Sequence, residues 1–271
     1  MKKHFSTIIL VIILFAGLSL LLYPTVSDYW NKIHQSRAIT SYTDAVADLD
    51  EAVYEEVWND AVAYNGTLSQ RQNRYFPTEE EHEYYESQLD ISGNGVMGYI
   101  QIPTINVSLP IYHGTDESVL QIAVGHIESS SLPVGGEGSH CVVSGHRGLP
   151  SAKLFTDLDK VQEGDIFLLQ VLNETLTYQV DQIRIVLPEE VSDLDLVPGK
   201  DYCTLVTCTP YAVNTHRLLV RGKRIPNLAE EVLVQITADA VKIDSKLVAP
   251  AVALPILLVL LIWLLIRYRK H

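Results

Sequence analysis

Residues Tyr202 to Gly222 read Y-C-T-L-V-T-C-T-P-Y-A-V-N-T-H-R-L-L-V-R-G. Two β-branched, apolar runs are separated by a turn-rich connection, as in two strands that pair with each other. Cys208 closes the first run, where the following Thr-Pro takes the chain out of the ladder because proline lacks an N–H. Arg217 opens the second run nine residues later. If the runs pair, the thiol and the guanidinium lie on neighbouring strand ends at an accessible rim.

Similar runs flank this hairpin. M-G-Y-I-Q-I-P, V-S-L-P-I-Y-H, H-C-V-V-S-G-H, D-I-F-L-L-Q-V and T-L-T-Y-Q-V-D-Q-I-R-I-V are short and bounded by Gly, Pro or Asn. The last of these alternates as a half-buried strand should. So many strands with so little helix between them imply a mainly β fold, a closed barrel or sandwich, from Val96 to Ile225. Upstream, Ser41 to Tyr64 has helical spacing: Val46, Leu49, Val53, Val57 and Ala61 form a stripe that the acidic residues avoid, and Asn65-Gly66 is expected to end the helix. Arg71 to Asp90 reads as loop and short helix.

Both ends are apolar. Phe5–Tyr23 and Leu247–Ile266 are uncharged runs close to the roughly 20 residues that cross a bilayer core. The first is longer than a usual signal h-region and is followed by no small-x-small cleavage site, so it reads as an anchor. Lys2 and Lys3 flank one run and Arg267, Arg269 and Lys270 the other, which places both termini in the cytoplasm. About 220 residues remain between the spans, enough for one globular core. All acids lie in that middle region, which is therefore even more acidic than the chain's net charge of −13 and disfavours a nucleic-acid partner.

Three cysteines, Cys141, Cys203 and Cys208, are an odd number for an exported domain and suggest a free reactive thiol or an intermolecular bridge; a Cys141–Cys203 disulfide would still leave Cys208 free. In S-G-H-R-G, His146 follows an apolar strand and stands between Gly145 and Gly148, which leave its imidazole unobstructed. A nearby imidazolium lowers a thiol's pKa and can protonate an amine leaving group. A fixed guanidinium suits the oxyanion of acyl transfer. Read singly, a cysteine, histidine or arginine is more often structural. Zinc binding by Cys203, Cys208, His140 and His146 is a weaker alternative, because C-x4-C and H-x5-H match no tight ligand spacing. No cofactor and no metal is expected.

T-L-V-T-C-T-P-Y with N-T-H-R-L-L-V-R-G, and S-G-H-R-G-L-P-S-A-K-L-F-T-D-L, resemble the signature of class C sortases, the pilus-assembling transpeptidases of Gram-positive bacteria. G-V-M-G-Y-I-Q-I-P-T-I-N-V-S-L-P-I-Y-H-G-T and G-H-I-E-S-S-S-L-P-V-G-G extend the likeness over Gly95 to Arg224. The resemblance implies an eight-stranded sortase β-barrel with N-terminal helices and a transmembrane helix at each end. It puts Cys208 at the nucleophile, His146 at the general acid and Arg217 at the oxyanion or substrate partner, with Thr207 and Thr209 binding substrate. It also implies cleavage of a Leu-Pro-x-Thr-Gly-like sorting signal between Thr and Gly, then transfer to an amine, usually a pilin lysine. A peptidoglycan-precursor amine is the rival acceptor, and a non-catalytic thiol or zinc sensor the rival from another class. His113, His126, His140 and His216 are expected to be structural or cleft-lining.

The expected organisation is an anchor at 1–23, an extracytoplasmic helical segment at 24–95, the barrel at 96–225, a linker at 226–246, and a second span with a basic tail at 247–271. Many class C sortases plug the cleft with an Asp-Pro-aromatic lid. This chain has no Asp-Pro pair, and only Tyr75 and Phe76 offer candidate plugs before the barrel, so an open site is expected.

Overall fold

A computed structural model describes residues 5–71 and 74–227. The linker from residue 228 and the second apolar run lie outside the described residues. Four helices are described: α1 (Phe5–Ala47), α2 (Glu51–Leu68), α3 (Glu79–Glu86) and the single-turn α4 (Glu117–Leu120). The strands are β1 (Val96–Ile102), β2 (Val107–His113), β3 (Val124–His126), β4 (Ser139–Ser144), β5 (Ile166–Val171), β6 (Glu174–Val186), β7 (Asp201–Thr209) and β8 (His216–Ile225).

The eight strands close into a barrel in the order β1-β2-β3-β4-β7-β8-β6-β5. β2–β3 and β4–β7 are parallel; every other neighbour is antiparallel. Along β7 and β8 alternate residues take opposite faces. Cys203, Leu205, Leu218 and Val220 join the main core, whereas Val206 and Leu219 join Val142 and Val186 in a separate outer cluster. In the interior Phe167 and Tyr178 stack with centroids 5.5 Å apart. A Cβ on Gly222 would meet the Phe167 ring at 2.6 Å, so only glycine fits beside it.

The helices depart from the sequence-based expectation in two ways. The stripe from Val46 to Ala61 is divided between two helices, because the chain leaves α1 after Ala47 and restarts with Asp50 as the N-cap of α2. Asn65-Gly66 does not end α2, which continues to the buried Leu68. Asn65 instead faces the barrel, where its side chain donates to the Leu132 carbonyl (3.1 Å) and accepts from the Leu132 N–H (2.7 Å). α3 begins with a capping box, Thr78 and Glu81 each bonding the other's backbone N–H. Its buried Tyr85 hydrogen-bonds with His126 Nδ1 at 2.9 Å.

α1 is 43 residues long, and its first half is apolar and unburied, with a mean hydropathy of 2.5. Among the described residues it is the one helix long and apolar enough to cross a membrane. Its second half lies along β1 and β2, where the buried Tyr42 hydroxyl donates to the Met97 carbonyl (3.0 Å) and accepts from the Leu172 N–H (2.7 Å).

Candidate active site

The parallel pairing of β4 with β7 decides where the chemistry can occur. Their register runs from Ser139↔Asp201 to Ser144↔Val206. Gly145 extends the ladder by donating its N–H to the Val206 carbonyl at 3.0 Å. The Thr207 hydroxyl then donates to the Gly145 carbonyl at 2.7 Å. His146 therefore leaves β4 where β7 reaches Cys208. Gly145 is packed so closely that an added Cβ would come within 2.8 Å of the Phe155 ring.

Across the hairpin, Cys208 and Arg217 are direct register partners on β7 and β8. On the pleat, paired residues share a face. The thiol and guanidinium thus stand together on the outer face, on the same side as Val206 and Leu219. All three candidate residues are half-buried. Arg217 Nη1 donates to the carbonyls of Asn214 (3.3 Å) and His216 (3.2 Å). Both bonds use one nitrogen, so the rest of the planar fork is left for a ligand.

The other thiols differ. Cys141 and Cys203 are register partners inside the barrel, at 1% and 0% exposure, and burial pushes the Cys203 thiol well above its usual range. Cys208 is the accessible one of the three. The residues of the alternative zinc set are not brought together: Cys203 faces the interior and Cys208 the outer side. His140 has both ring nitrogens engaged, by the Asp195 carbonyl (2.9 Å) and the Thr204 hydroxyl (2.7 Å), and burial lowers its pKa. His113 is likewise held through both nitrogens, by the carbonyls of Gly95 (3.0 Å) and Gln88 (2.7 Å), and burial lowers its pKa. His126 is fully buried, bonded at Nδ1 to Tyr85 and at Nε2 to the Ser131 carbonyl (2.8 Å). His216 bonds the Thr215 hydroxyl at 2.9 Å.

Thr207 and Thr209 lie beside the thiol but turn the other way. Thr207 is 2% exposed and its hydroxyl is committed to the Gly145 carbonyl, an internal lock between β7 and the strand end that leads to His146. Thr209 accepts from Arg147 Nη1 at 3.2 Å, and Arg147 also pairs with Asp159. An open groove of about 640 Å³ next to this pair is lined by Arg147, Asp159, Ile183, Thr209, Tyr211 and Leu218, among others.

The outer cluster of Val142, Val186, Val206 and Leu219, buried with Ile127 and Leu194 packed against it, lies on the same face of the sheet as Cys208. Leu194 belongs to the β6–β7 connection, which an Arg184–Asp193 ion pair of 2.8 Å fastens to β6. Tyr75 reaches that connection too: its hydroxyl donates to Asp195 at 3.1 Å, and Arg74 donates to the same oxygen at 2.6 Å. Phe76 is 75% exposed. Neither aromatic side chain lines the groove beside Thr209 and Arg147.

The sequence missed the Thr207–Gly145 lock and the contacts from α1 to the loop after His146. A threonine one residue before the thiol was visible, but the carbonyl it meets is supplied by a strand 62 residues away. Such a partner leaves no local signal.

A thiol, a guanidinium in register with it and an imidazole at the adjoining strand end make a constellation for acyl transfer. The sortase-domain family model matches residues 100–225. Sortase C1 of Streptococcus agalactiae is 55% identical, with a TM-score of 0.69, covering 71% of this chain and 100% of that one. Sortase C of Streptococcus pneumoniae is 44% identical, with a TM-score of 0.61, covering 71% of this chain and 98% of that one. Among curated proteins, sortase A of Streptococcus agalactiae is 34% identical over 132 residues, 47% of this chain and 52% of that protein, so the match spans about half of that relative's length. The barrel, its strand-end constellation and this kinship agree: the chain belongs to the sortase family, in its class C branch.

Proposed function

We propose that this protein is a membrane-anchored cysteine transpeptidase that polymerises pilin. The observation that carries the reading is the register pairing of Cys208 with Arg217, beside the strand end that bears His146. A Leu-Pro-x-Thr-Gly-like sorting signal presents its threonine carbonyl to Cys208 on the outer face of the β7–β8 hairpin. The Cys208 thiolate attacks the threonine carbonyl, and Arg217 donates to the oxyanion that develops. As the Thr–Gly bond breaks, His146 gives its proton to the departing glycine amine, leaving a thioester on Cys208. A pilin lysine amine then attacks the thioester, passing its proton to His146. The isopeptide bond forms and the Cys208 thiolate and His146 imidazolium are regenerated.

The apolar half of α1 anchors the enzyme, and the basic residues at the chain's two ends place both termini in the cytoplasm with the acidic barrel outside. Protease added to intact protoplasts should then digest the middle of the chain and spare terminal tags.

The direct test is to incubate the protein with sorting-signal peptides and look for the mass of the peptidyl thioester, then to identify the amine in the transfer product. A thioester on Cys208 and a lysine isopeptide support the reading. Absence of any adduct with such peptides would remove it, and a peptidoglycan-precursor amine in the product would redirect it to wall anchoring.

A further inference from the structure

α1 carries the apolar run and continues without a break into the part that touches the barrel. The first contacts after Tyr23 are polar and specific. Asp28 Oδ1 accepts from the Lys153 N–H at 2.8 Å. Asn31 Nδ2 donates to the Ser151 carbonyl at 2.8 Å. Gln35 Nε2 donates to the Ile122 carbonyl at 2.7 Å. Ser151 and Lys153 belong to the loop that starts at His146, and that loop is closed on itself by the Phe155 N–H donating to the His146 carbonyl at 3.1 Å.

The helix serves as a ruler. At about 1.5 Å per residue, Asp28 and Asn31 lie about 8 and 12 Å beyond Tyr23, whereas Tyr42, which grips Met97 and Leu172, lies almost 30 Å beyond it. The headgroup layer outside each face of the hydrocarbon core is about 5–8 Å deep. The loop after His146 therefore sits at the level where the bilayer meets water, and the β5–β6 turn stands well clear of it.

The side chains at this level suit such a position. On α1, Tyr23, Val26, Tyr29 and Trp30 are exposed, an aromatic-rich stretch of the kind that sits at membrane interfaces. The β7–β8 turn carries Tyr211 at 56% and Val213 at 63% exposure. Tyr211 belongs to the same rim as the His146 loop, since its ring lies 2.8 Å from where a Cβ on Gly148 would be.

We propose that the catalytic rim of the barrel rests on the outer surface of the bilayer, with Tyr211 and Val213 in contact with the lipid interface and α1 fixing the height. The inference rests on the reading of α1 as a membrane anchor and goes beyond it, because an anchor alone leaves the barrel free to face any direction. α1 removes that freedom by bonding directly to the loop that holds His146. A polypeptide entering the cleft is then cut just outside the headgroup layer.

The test uses the full chain in vesicles of phosphatidylcholine and phosphatidylglycerol, in a Cys208→Ala background whose remaining thiols are buried. Single cysteines at Tyr23→Cys, Val213→Cys or Asn173→Cys carry an environment-sensitive fluorophore, and phospholipids bearing a nitroxide near the headgroup serve as quenchers. The expected result is strong quenching at 23, quenching at 213 at least twofold greater than at 173, and little at 173. Quenching at 23 with equal, weak quenching at 213 and 173 would overturn the proposal while leaving the anchor intact. Equal, strong quenching at 213 and 173 would overturn it as well, since the barrel would then lie on its side. No quenching at 23 would overturn the anchor and the proposal together.

Discussion

Thr207→Val keeps the shape of a side chain that is 2% exposed and removes one donor. The donor's partner is the Gly145 carbonyl at 2.7 Å, inside the protein and next to His146. Valine leaves that carbonyl buried without a partner, which typically costs about 1–3 kcal/mol. Taking about 2 kcal/mol, a domain of this size should lose about 4–8 °C in Tm. The catalytic cost has a separate origin. Gly145 stays paired with Val206 through its N–H, so β4 remains in the sheet while the peptide leading to His146 gains freedom. A displacement of about 1 Å at a catalytic group can cost roughly a hundredfold in rate. Thermal unfolding by circular dichroism reads the first effect and the rate of sorting-peptide transfer to an amine reads the second; Thr207→Ser should restore both. A valine variant with unchanged Tm and turnover would refute the lock, and a lowered Tm with unchanged turnover would reduce it to a purely structural bond.

Cys208→Ala should abolish thioester formation in mass spectra, while Cys141→Ala and Cys203→Ala, which alter buried thiols remote from the outer face, should keep most transfer activity. Arg217→Lys retains charge but loses the planar fork, so steady-state turnover should fall about a hundred- to thousandfold with little change in peptide binding; near-normal turnover would return Arg217 to a structural role. The hydrogen bond from His82 to Glu128 (2.9 Å) raises the His82 pKa above its ordinary 6.5. Its stabilising contribution should be complete below about pH 6.5 and disappear as pH climbs through the raised folded value, so the Tm gap between wild type and His82→Gln should narrow from pH 6 to pH 9. In an open site Cys208 should be alkylated fast, and Tyr75→Ala/Phe76→Ala should scarcely change the rate; a tenfold rise would reveal gating by that segment.

Much of the barrel could be read from the chain because each long strand carries its own pattern. V-S-L-P-I-Y-H and D-I-F-L-L-Q-V mark all of β2 and β5, and the alternating T-L-T-Y-Q-V-D-Q-I-R-I-V covers nearly all of β6. β3 escaped notice, since three residues are too few to alternate and its support comes from flanking strands. Thr-Pro after Cys208 located the thiol at a strand end, and the hairpin spacing brought Arg217 beside it. His146 was legible as an unobstructed imidazole after an apolar strand, and the resemblance gave it a role; its nearness to Cys208 depends on the parallel β4–β7 pairing, and no local pattern encodes which strands lie side by side. The break between α1 and α2 was equally hidden: Leu49 continues the apolar stripe across it and still packs on the core, so periodicity alone gave no sign of a new helix.

The same β4–β7 pairing has a consequence for how the enzyme matures. β7 fills the gap between β4 and β8, and each of its pairs with β4 joins residues 62 positions apart. Contacts of such sequence separation form late, because the chain loses loop entropy before the ladder compensates for it. A chain emerging from its N-terminus can therefore complete α1, the β1–β2 hairpin and the β5–β6 hairpin while the barrel is still open. His146 is synthesised early but gains its neighbouring thiol only when β7 and β8 enter together. Under the proposed mechanism, reactivity thus appears as the final step of folding, and an incomplete chain carries no assembled nucleophile that could attack its neighbours.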